Sequence, residues 1–370
     1  MTPRHSPTLL VTGATGLVGG GALRDLLTLA PDARALALVR TREGGALLRE
    51  SLGPLGRRVS AVLGDVRLPG LGLESSVRSE LRGQITHLLH CAGDICFARP
   101  LEQARAVNTA GTGHALELAN DLGAPCEFVH VSTAYVAGRA VGRVEEEPSG
   151  GAQGFVNAYE QSKHEAEALV RDWGSRFVIL RPSSIVCDSR TGAVAQVNAV
   201  HRALFLYFSG LVPMLPGDEG APLDLVPVDW VTRAVARLTL DPASSGRTFH
   251  LCAGAAAPTL GALFDVTEEV LRGDPEFLRR GVSRPDVVDL GTYRLFEQSV
   301  YELGDPKLVR ILRGLSTFVD QLTLPKTFET RGAEAALGEQ APPVLEYWPR
   351  MLSHLLSTHW AVARESQEAA

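Results

Sequence analysis

The sequence predicts an α/β chain built on a doubly wound parallel sheet, and three observations predict it. Short runs rich in valine and leucine alternate with helix-length segments through the first half, the pattern written by strands buried on both faces and joined by crossover helices. A glycine-rich turn, Thr12-Gly13-Ala14-Thr15-Gly16-Leu17-Val18-Gly19, stands between the first such run and the first helical stretch. The 370 residues, 45% hydrophobic and 21% charged, suffice for a large core but exceed one minimal domain. A Rossmann domain over residues 1–257 is therefore expected, with a substrate-facing insertion at about 188–222 and a smaller, mainly helical substrate region over 258–370.

The expected strands, in order, are Thr8 to Thr12, Ala35 to Val39, Val59 to Leu63, His87 to His90, Glu127 to Val131 and Phe177 to Leu180. Gly19 to Ala30, Leu101 to Leu122 and Ala158 to Trp173 carry apolar residues at three- and four-residue steps and read as helices. After Arg181-Pro182 the alternation dissolves into Gly, Pro and Ser. It resumes with a strand at Leu225 to Val228, a helix from Asp229 to Leu240 and a strand at Thr248 to Cys252, which bring the chain back to the sheet. Beyond Pro258 helical patterns dominate, with a loop expected around Gly332 to Pro343 and a last amphipathic helix from Glu346 to Arg364. The acidic run Glu145 to Glu147 and the small-residue run Ser149 to Gly154 read as solvated loops.

The charge balance of 36 basic against 42 acidic residues gives −6, which offers no footprint for nucleic acid. Only Lys163, Lys307 and Lys326 are lysines, so each of them is singled out. Five scattered cysteines (Cys91, Cys96, Cys126, Cys187 and Cys252) lack the spacing of a disulfide framework or a zinc site and read as reduced thiols of a cytoplasmic protein. The segment Met1 to Pro7, with Arg4 and His5, is followed by too short an apolar run for a signal peptide. The longest later apolar stretch, Ala203 to Leu215, is broken by Ser209, Gly210 and Pro213, so no membrane span is expected.

A glycine turn between strand and helix has a mechanical task. Gly13 permits the turn, Gly16 admits a pyrophosphate to the backbone, Gly19 allows close packing, and the helix N-terminus offers free N–H groups to phosphates. The second strand ends Val39-Arg40-Thr41-Arg42 where an NAD enzyme usually carries an acidic residue. An arginine fork there suits a 2′-phosphate, so NADPH is the expected cofactor. Gly64-Asp65-Val66 closes the third strand, with Asp65 placed to accept from the adenine amino group. His90-Cys91-Ala92-Gly93 closes the fourth with small residues that leave room for the nucleotide.

Tyr159 and Lys163 lie four residues apart on an expected helix and so share a face. The ammonium is expected to lower the phenol's pKa from about 10 towards working pH, making Tyr159 a proton donor or acceptor. Thr133, at the carboxyl end of the fifth strand, is the expected second donor to the same oxygen, with Ser132 as second choice.

Together the Thr-Gly-x-x-Gly-x-x-Gly turn, Ser132-Thr133, the Tyr159 to Lys163 pair and Arg181-Pro182 resemble the extended short-chain dehydrogenase/reductases over roughly residues 8–255. Gly64-Asp65-Val66 with Leu71-Gly72-Leu73, Val131 to Gly138, Tyr159 to Glu167, Arg181 to Gly192 and Leu223 to Trp230 look most like the thioester reductases. That branch includes fatty acyl-CoA reductases and the terminal reductase domains of carboxylic acid reductases and peptide synthetases. Cys187, where glycine is expected, Gly93, where alanine is commoner, and the tail after Pro258 depart from the pattern.

The resemblance implies Thr133, Tyr159 and Lys163 as catalytic residues. It implies nucleotide contacts at Gly13, Thr15, Gly16, Leu17, Val18, Gly19, Arg40, Asp65, Val66, Ala92, Gly93, Tyr159, Lys163, Pro182, Ser184 and Ile185, and no metal. The implied activity is NADPH-dependent reduction of an acyl thioester, carried by CoA or an acyl carrier protein, to an aldehyde or onward to an alcohol. The insertion, with Phe205, Leu206, Tyr207, Phe208, Leu211 and Met214, forms either an apolar acyl wall or a packed core. A sugar-nucleotide epimerase, another extended reductase acting on a carbonyl or alcohol, and a non-catalytic nucleotide-binding protein remain alternatives, and oligomeric state is open.

Overall fold

The computed structural model describes residues 6–123, 126–147, 151, 153–174 and 176–361. Arg4 and His5, Ser149 and the end of the expected last helix at residues 362–364 lie outside the described residues. Seven strands form one parallel sheet: β1 (Thr8–Thr12), β2 (Arg34–Val39), β3 (Val59–Leu63), β4 (His87–His90), β5 (Glu127–Val131), β6 (Phe177–Pro182) and β7 (Arg247–Leu251). Their spatial order is β7-β6-β5-β4-β1-β2-β3. The order reverses between β1 and β4, the crevice where open α/β sheets take ligands.

Helices cover both faces. On one, α1 (Leu17–Leu29) packs against α6 (Val228–Leu240), with Leu23, Leu26, Leu27, Trp230 and Val235 fully or almost fully buried. The opposite face carries α3 (Leu101–Leu122) beside α4 (Ala158–Asp172), and α2 (Arg42–Ser51) follows β2. A second core gathers α5 (Ala199–Phe208), α7 (Leu260–Leu271), α8 (Leu290–Leu303), α9 (Pro306–Leu322) and α11 (Val344–Ser357) around Tyr207, Phe208, Phe264, Tyr293, Trp348 and Trp360. From the insertion, Leu206, Tyr207 and Phe208 are buried in this core, Phe205 and Met214 pack partly against it, and Leu211 is exposed.

The structure corrects several boundaries. β6 runs on through Arg181, fully buried, because Glu167 on α4 takes its guanidinium through two bonds of 2.9 and 2.7 Å. The strand expected at Leu225 to Val228 is only Leu225–Val226 and pairs with Ser184–Ile185 outside the main sheet. Pro227, which lacks an N–H, stands at its end as the N-cap of α6.

The loop expected at Gly332 to Pro343 begins as a helix, α10 (Arg331–Leu337), whose Ala333 and Leu337 bury against the α1/α6 layer. Glu146 makes this possible. Its carboxylate accepts from the backbone N–H groups of Gly332 (2.7 Å), Ala333 (3.1 Å) and His250 (3.0 Å). The middle of the acidic run is thus a cap for a helix 186 residues away, not a solvated loop. The last helix starts at Val344, just after Pro343, and ends at Ser357; His359 and Trp360 then turn left-handed at φ 51° and 57°, which drops the Trp360 ring into the second core.

Candidate active site

At the carboxyl ends of β1, β4, β5 and β6 lies a cleft of about 360 Å³ lined on one side by Gly13, Gly16, Leu17, Val18 and Gly19. Gly13 sits at φ 68°, and a Cβ there would come within 2.6 Å of the Ala92 backbone nitrogen. A Cβ on Gly19 would collide with the Gly13 carbonyl oxygen, so this glycine closes the turn on itself. Gly16 differs: its added Cβ meets only the Gly13 oxygen at 3.3 Å. The missing side chain leaves a shallow cradle at the exposed N-terminus of α1, shaped for a diphosphate approaching the backbone. A Cβ on Gly21 would come within 2.5 Å of the Thr232 methyl, which accounts for the extended glycine run as close contact between α1 and α6.

On the other side of the cleft stand Thr133, Tyr159 and Lys163. Asn157 caps α4 by accepting from the Glu160 N–H at 3.0 Å, and the helix then presents Tyr159, Lys163 and Glu167 on one stripe. The Tyr159 ring packs on Phe97 at 5.4 Å between centroids. Burial pushes its phenol up to about 12, with a hydrogen bond from Thr133 working the other way. The sequence-based expectation of a lowered phenol pKa is therefore corrected: desolvation outweighs any help from the ammonium.

Lys163 is itself buried, which pulls its ammonium down to about 8, while Glu167 one turn on opposes that shift. Its Nζ donates to the Val131 carbonyl at 2.7 Å and to His130 Nε2 at 3.4 Å. Burial, with the lysine charge adding to it, keeps His130 well below its ordinary pKa and neutral, so it is an acceptor at that nitrogen. Of three ammonium donors, two are thus engaged among the described residues.

Under the pair runs a second set of assignable bonds. The Thr112 hydroxyl donates to the Asn108 carbonyl at 2.7 Å, so at 3.2 Å it accepts from His90 Nε2–H. His90 Nδ1 then accepts from the Thr12 hydroxyl at 2.9 Å, and Thr12 in turn accepts from the Ala92 N–H at 3.2 Å. Burial holds His90 near a pKa of about 3, hence neutral. Asn108 completes the frame: its amide donates to Ser162 on α4 at 2.9 Å, and its oxygen accepts from the Asp94 N–H at 2.8 Å. Turn, strand end and α4 are locked together by groups that carry no net charge.

Of the residues anticipated from sequence, Gly13, Gly16, Leu17, Val18, Gly19, Gly93, Thr133, Tyr159, Lys163, Pro182, Ser184 and Ile185 line this one cleft. Thr15 lines an adjoining groove with Gly16 and Leu17. Arg40 is exposed and close enough to Asp65 to help lower its carboxyl, an effect led by the Arg67 hydrogen bond, at 2.6 Å for the shortest contact. Val66 does not reach the cleft. It is buried beneath α3, and its carbonyl accepts from His114 at 2.9 Å. Ala92 borders the turn through its backbone; Ser132 also lines the cleft but interacts with Glu167, and Thr133 is the hydroxyl bonded to the phenol.

Sequence reasoning missed Phe97, Tyr135, Gln196 and Asn198 in the cleft wall. Asn198 had a readable signal: it precedes an apolar run and forms a capping box with His201, while its amide donates to the Ile185 carbonyl at 2.8 Å. Tyr135, bonded to Ser184 at 3.1 Å, had none, since only the fold brings the two together. Cys91 also lines the cleft, and burial drives its thiol up to about 12, so it is a neutral wall atom. Among the described residues no cluster could hold a metal ion, and no helix is long and apolar enough to cross a membrane.

A family model described as male sterility protein matches residues 11–235. A linear gramicidin synthase of Brevibacillus parabrevis is 30% identical over 267 residues, 67% of this chain and 5% of that protein. The L-2-aminoadipate reductase large subunit of Penicillium chrysogenum is 30% identical over 270 residues, 65% of this chain and 19% of that protein. The chain thus spans a small part of the length of these relatives. Among solved structures, the terminal R domain from the myxalamid PKS-NRPS biosynthetic pathway superposes with a TM-score of 0.80 at 28% identity, covering 96% of this chain and 91% of that one. The sheet order, the glycine turn and the match over β1 to α6 lead to one conclusion: the chain belongs to the male sterility protein family of NAD(P)-binding oxidoreductases, in the thioester reductase branch of the extended short-chain dehydrogenase/reductases.

Proposed function

We propose that the chain is an NADPH-dependent reductase of an acyl thioester, releasing an aldehyde and a free thiol. The observation that carries this reading is the convergence of Thr133, Tyr159 and Lys163 on the cleft whose opposite wall is the glycine turn. Bound there, the dinucleotide supplies a hydride to the thioester carbonyl carbon. Thr133 and Tyr159 hydrogen-bond the carbonyl oxygen as negative charge grows on it, and Tyr159 delivers the proton. A phenol held at about 12 is protonated at working pH and so ready to give, not take, a proton in the reductive direction. The third N–H of Lys163 is free to hold the ribose next to the hydride-bearing ring. Collapse of the hemithioacetal breaks the C–S bond as its hydroxyl proton returns to the Tyr159 oxygen, and the expelled thiolate takes up a proton from solvent while the aldehyde leaves.

Arg40, exposed at the end of β2, favours the 2′-phosphate of NADPH over NADH. Residues 1–257 serve as the nucleotide domain, to whose core α10 adds Ala333 and Leu337, and the other helices after residue 258 complete the substrate side. The peptide-synthetase relatives support a carrier-tethered acyl group over free acyl-CoA. The setting is the cytoplasm, where reduced NADPH and thiols coexist.

The test is product analysis with NADPH over a panel of acyl-pantetheine, acyl-CoA and acyl-carrier thioesters, alongside aldehydes and sugar nucleotides. Expected is cofactor oxidation matched mole for mole by released thiol and trapped aldehyde. Turnover of sugar nucleotides, or silence with every thioester, removes the proposal.

A further inference from the structure

Lys326, one of only three lysines in the chain, is 5% exposed and stands outside the lining of the cleft. A cationic side chain is seldom buried unless it is paired. Burial pulls its ammonium down to about 8, so it keeps its charge at pH 7, and the nearby Glu160 opposes that shift. Its Nζ donates to the Gln321 side-chain oxygen and to the Leu324 carbonyl, both at 3.2 Å. The Gln321 amide nitrogen in turn donates to the Glu160 carboxylate. An ammonium only donates and a carboxylate only accepts, so a single orientation of the amide satisfies both. Glu160 follows Tyr159 directly, and it also accepts from the Val156 N–H at 3.0 Å and the Asn157 amide at 3.1 Å, at the start of α4.

The same short strand also reaches the other hydroxyl. Lys326–Phe328 pairs in parallel with Gly142–Val144, within the segment that runs from Thr133 to α4. Phe328, 2% exposed, shares a small core with Ala134 and Ala137 and meets the Tyr135 ring edge-on at 6.1 Å between centroids. The Tyr135 N–H donates to the Thr133 hydroxyl oxygen at 3.3 Å. One end of the strand therefore bears on the residue beside Tyr159, and the other on the residue that bonds Thr133. Thr133 and Tyr159 lie far apart in sequence, and no local pattern fixes their separation.

We propose that the strand Lys326–Phe328 is a clasp that sets the spacing of Thr133 and Tyr159, with Lys326 as a positioning residue that acts on the phenol through Gln321 and Glu160. Its effect on rate rests on the thioester reading above, and it gives the region after residue 258 a part in arranging the two donors. Donors stabilise a developing oxyanion only where they already point at it, and a misplacement of about 1 Å costs up to about a hundredfold in rate. Lys326, Gln321 and Phe328 do not line the cleft, so the loss falls on kcat and spares nucleotide binding.

The test is Lys326→Met, which keeps much of the side chain's length and removes its charge and donors. Protein labelled with carbon-13 at the tyrosine Cζ is compared by NMR at pH 7 without cofactor, the Tyr159 signal being identified by its loss in Tyr159→Phe. Thr133→Ala gives the position of that signal once the Thr133 bond is gone. In Lys326→Met the signal is expected to move about halfway or further towards that position. With NADPH and acyl-pantetheine thioesters at pH 7, kcat is expected to fall about ten- to a hundredfold. The NADPH dissociation constant, titrated calorimetrically, is expected to stay within about twofold of the parent's. Gln321→Met breaks the relay at a less buried side chain and is expected to give the same shift and the same split, and melting curves identify either variant that fails to fold. An unmoved Tyr159 signal in the folded variants overturns the clasp. Loss of NADPH affinity in step with kcat overturns it too, because the strand then supports the fold at large. Thioester reduction by the variants at the parent's kcat overturns the clasp and leaves the reductase reading standing. If the parent reduces no thioester while the signal moves as described, the clasp stands and the reductase reading falls.

Discussion

Tyr159 and Lys163 are shifted in opposite directions, and apart, by the same cause. Burial raises the phenol to about 12 and lowers the ammonium to about 8, so at pH 7 both still hold their protons. The phenol keeps its proton over the whole working range, and the lysine loses its own as pH rises through about 8. The rate of thioester reduction is therefore expected to be flat below neutrality and to fall on an alkaline limb with a midpoint near the lysine's value, measured as kcat/KM from pH 6 to 10. An unbroken plateau to pH 10 contradicts the lysine's charged role. Tyr159→Phe removes the donor while leaving the cleft's shape; turnover is expected to drop by about 10² to 10⁴ with little change in NADPH affinity. Arg40→Ala tests the other end of the nucleotide. Loss of a charged hydrogen bond worth about 1.5 to 3 kcal/mol weakens NADPH by roughly ten- to a hundredfold, and equal weakening of NADH in parallel titrations counts against a 2′-phosphate contact.

Among elements, α4 bears the heaviest constraint, because one helix must place Tyr159 and Lys163 and also hold its own position on β6. The bidentate pair of Glu167 and Arg181 does the holding, with both side chains 4% exposed or less. Glu167→Gln keeps the shape but leaves a buried guanidinium short of its counter-charge, a change expected to cost about 3 to 5 kcal/mol. Chemical denaturation measures it, and a loss under 1 kcal/mol means that the pair adds no more than a surface contact. Arg181 also shows where sequence reading stops. The strands of the main sheet were legible from their runs of apolar residues, and β1, β3, β4 and β5 match to the residue. The end of β6 was not, since a buried arginine is allowed only by a partner 14 residues earlier on another element. The same holds for α10, whose first turn is satisfied by Glu146 from across the molecule. In the site, residues with a local pattern were legible: the glycine turn, the Tyr–Lys spacing and the strand-end hydroxyls. Phe97 and Tyr135 belong to the cleft only through tertiary contact.

For the whole molecule the cleft is a seam between two cores. The glycine turn and α4 belong to the sheet, while Gln196, Asn198 and Val200 come from the insertion that feeds the second core. Three ties cross this seam or brace it: Asn198 to the Ile185 carbonyl at 2.8 Å, Glu160 to Gln321, and His250 Nδ1 to the Glu329 carbonyl at 2.8 Å. Glu160 matters most because its second oxygen also accepts from the Val156 N–H at 3.0 Å, so the helical region reaches the first turn of α4 through one carboxylate. A ligand seated in the cleft therefore touches both cores, and NADPH is expected to stabilise them together. At a hundredfold excess over its dissociation constant the gain is about 2.7 kcal/mol. Amide hydrogen exchange locates it: with NADPH, protection is expected to rise at residues 13–19 and also at 196–200, on the far wall. Protection confined to the glycine turn and the β4 and β5 ends means that the second core does not sense the nucleotide. In that case the insertion serves the substrate alone, and the two cores open and close independently of cofactor binding.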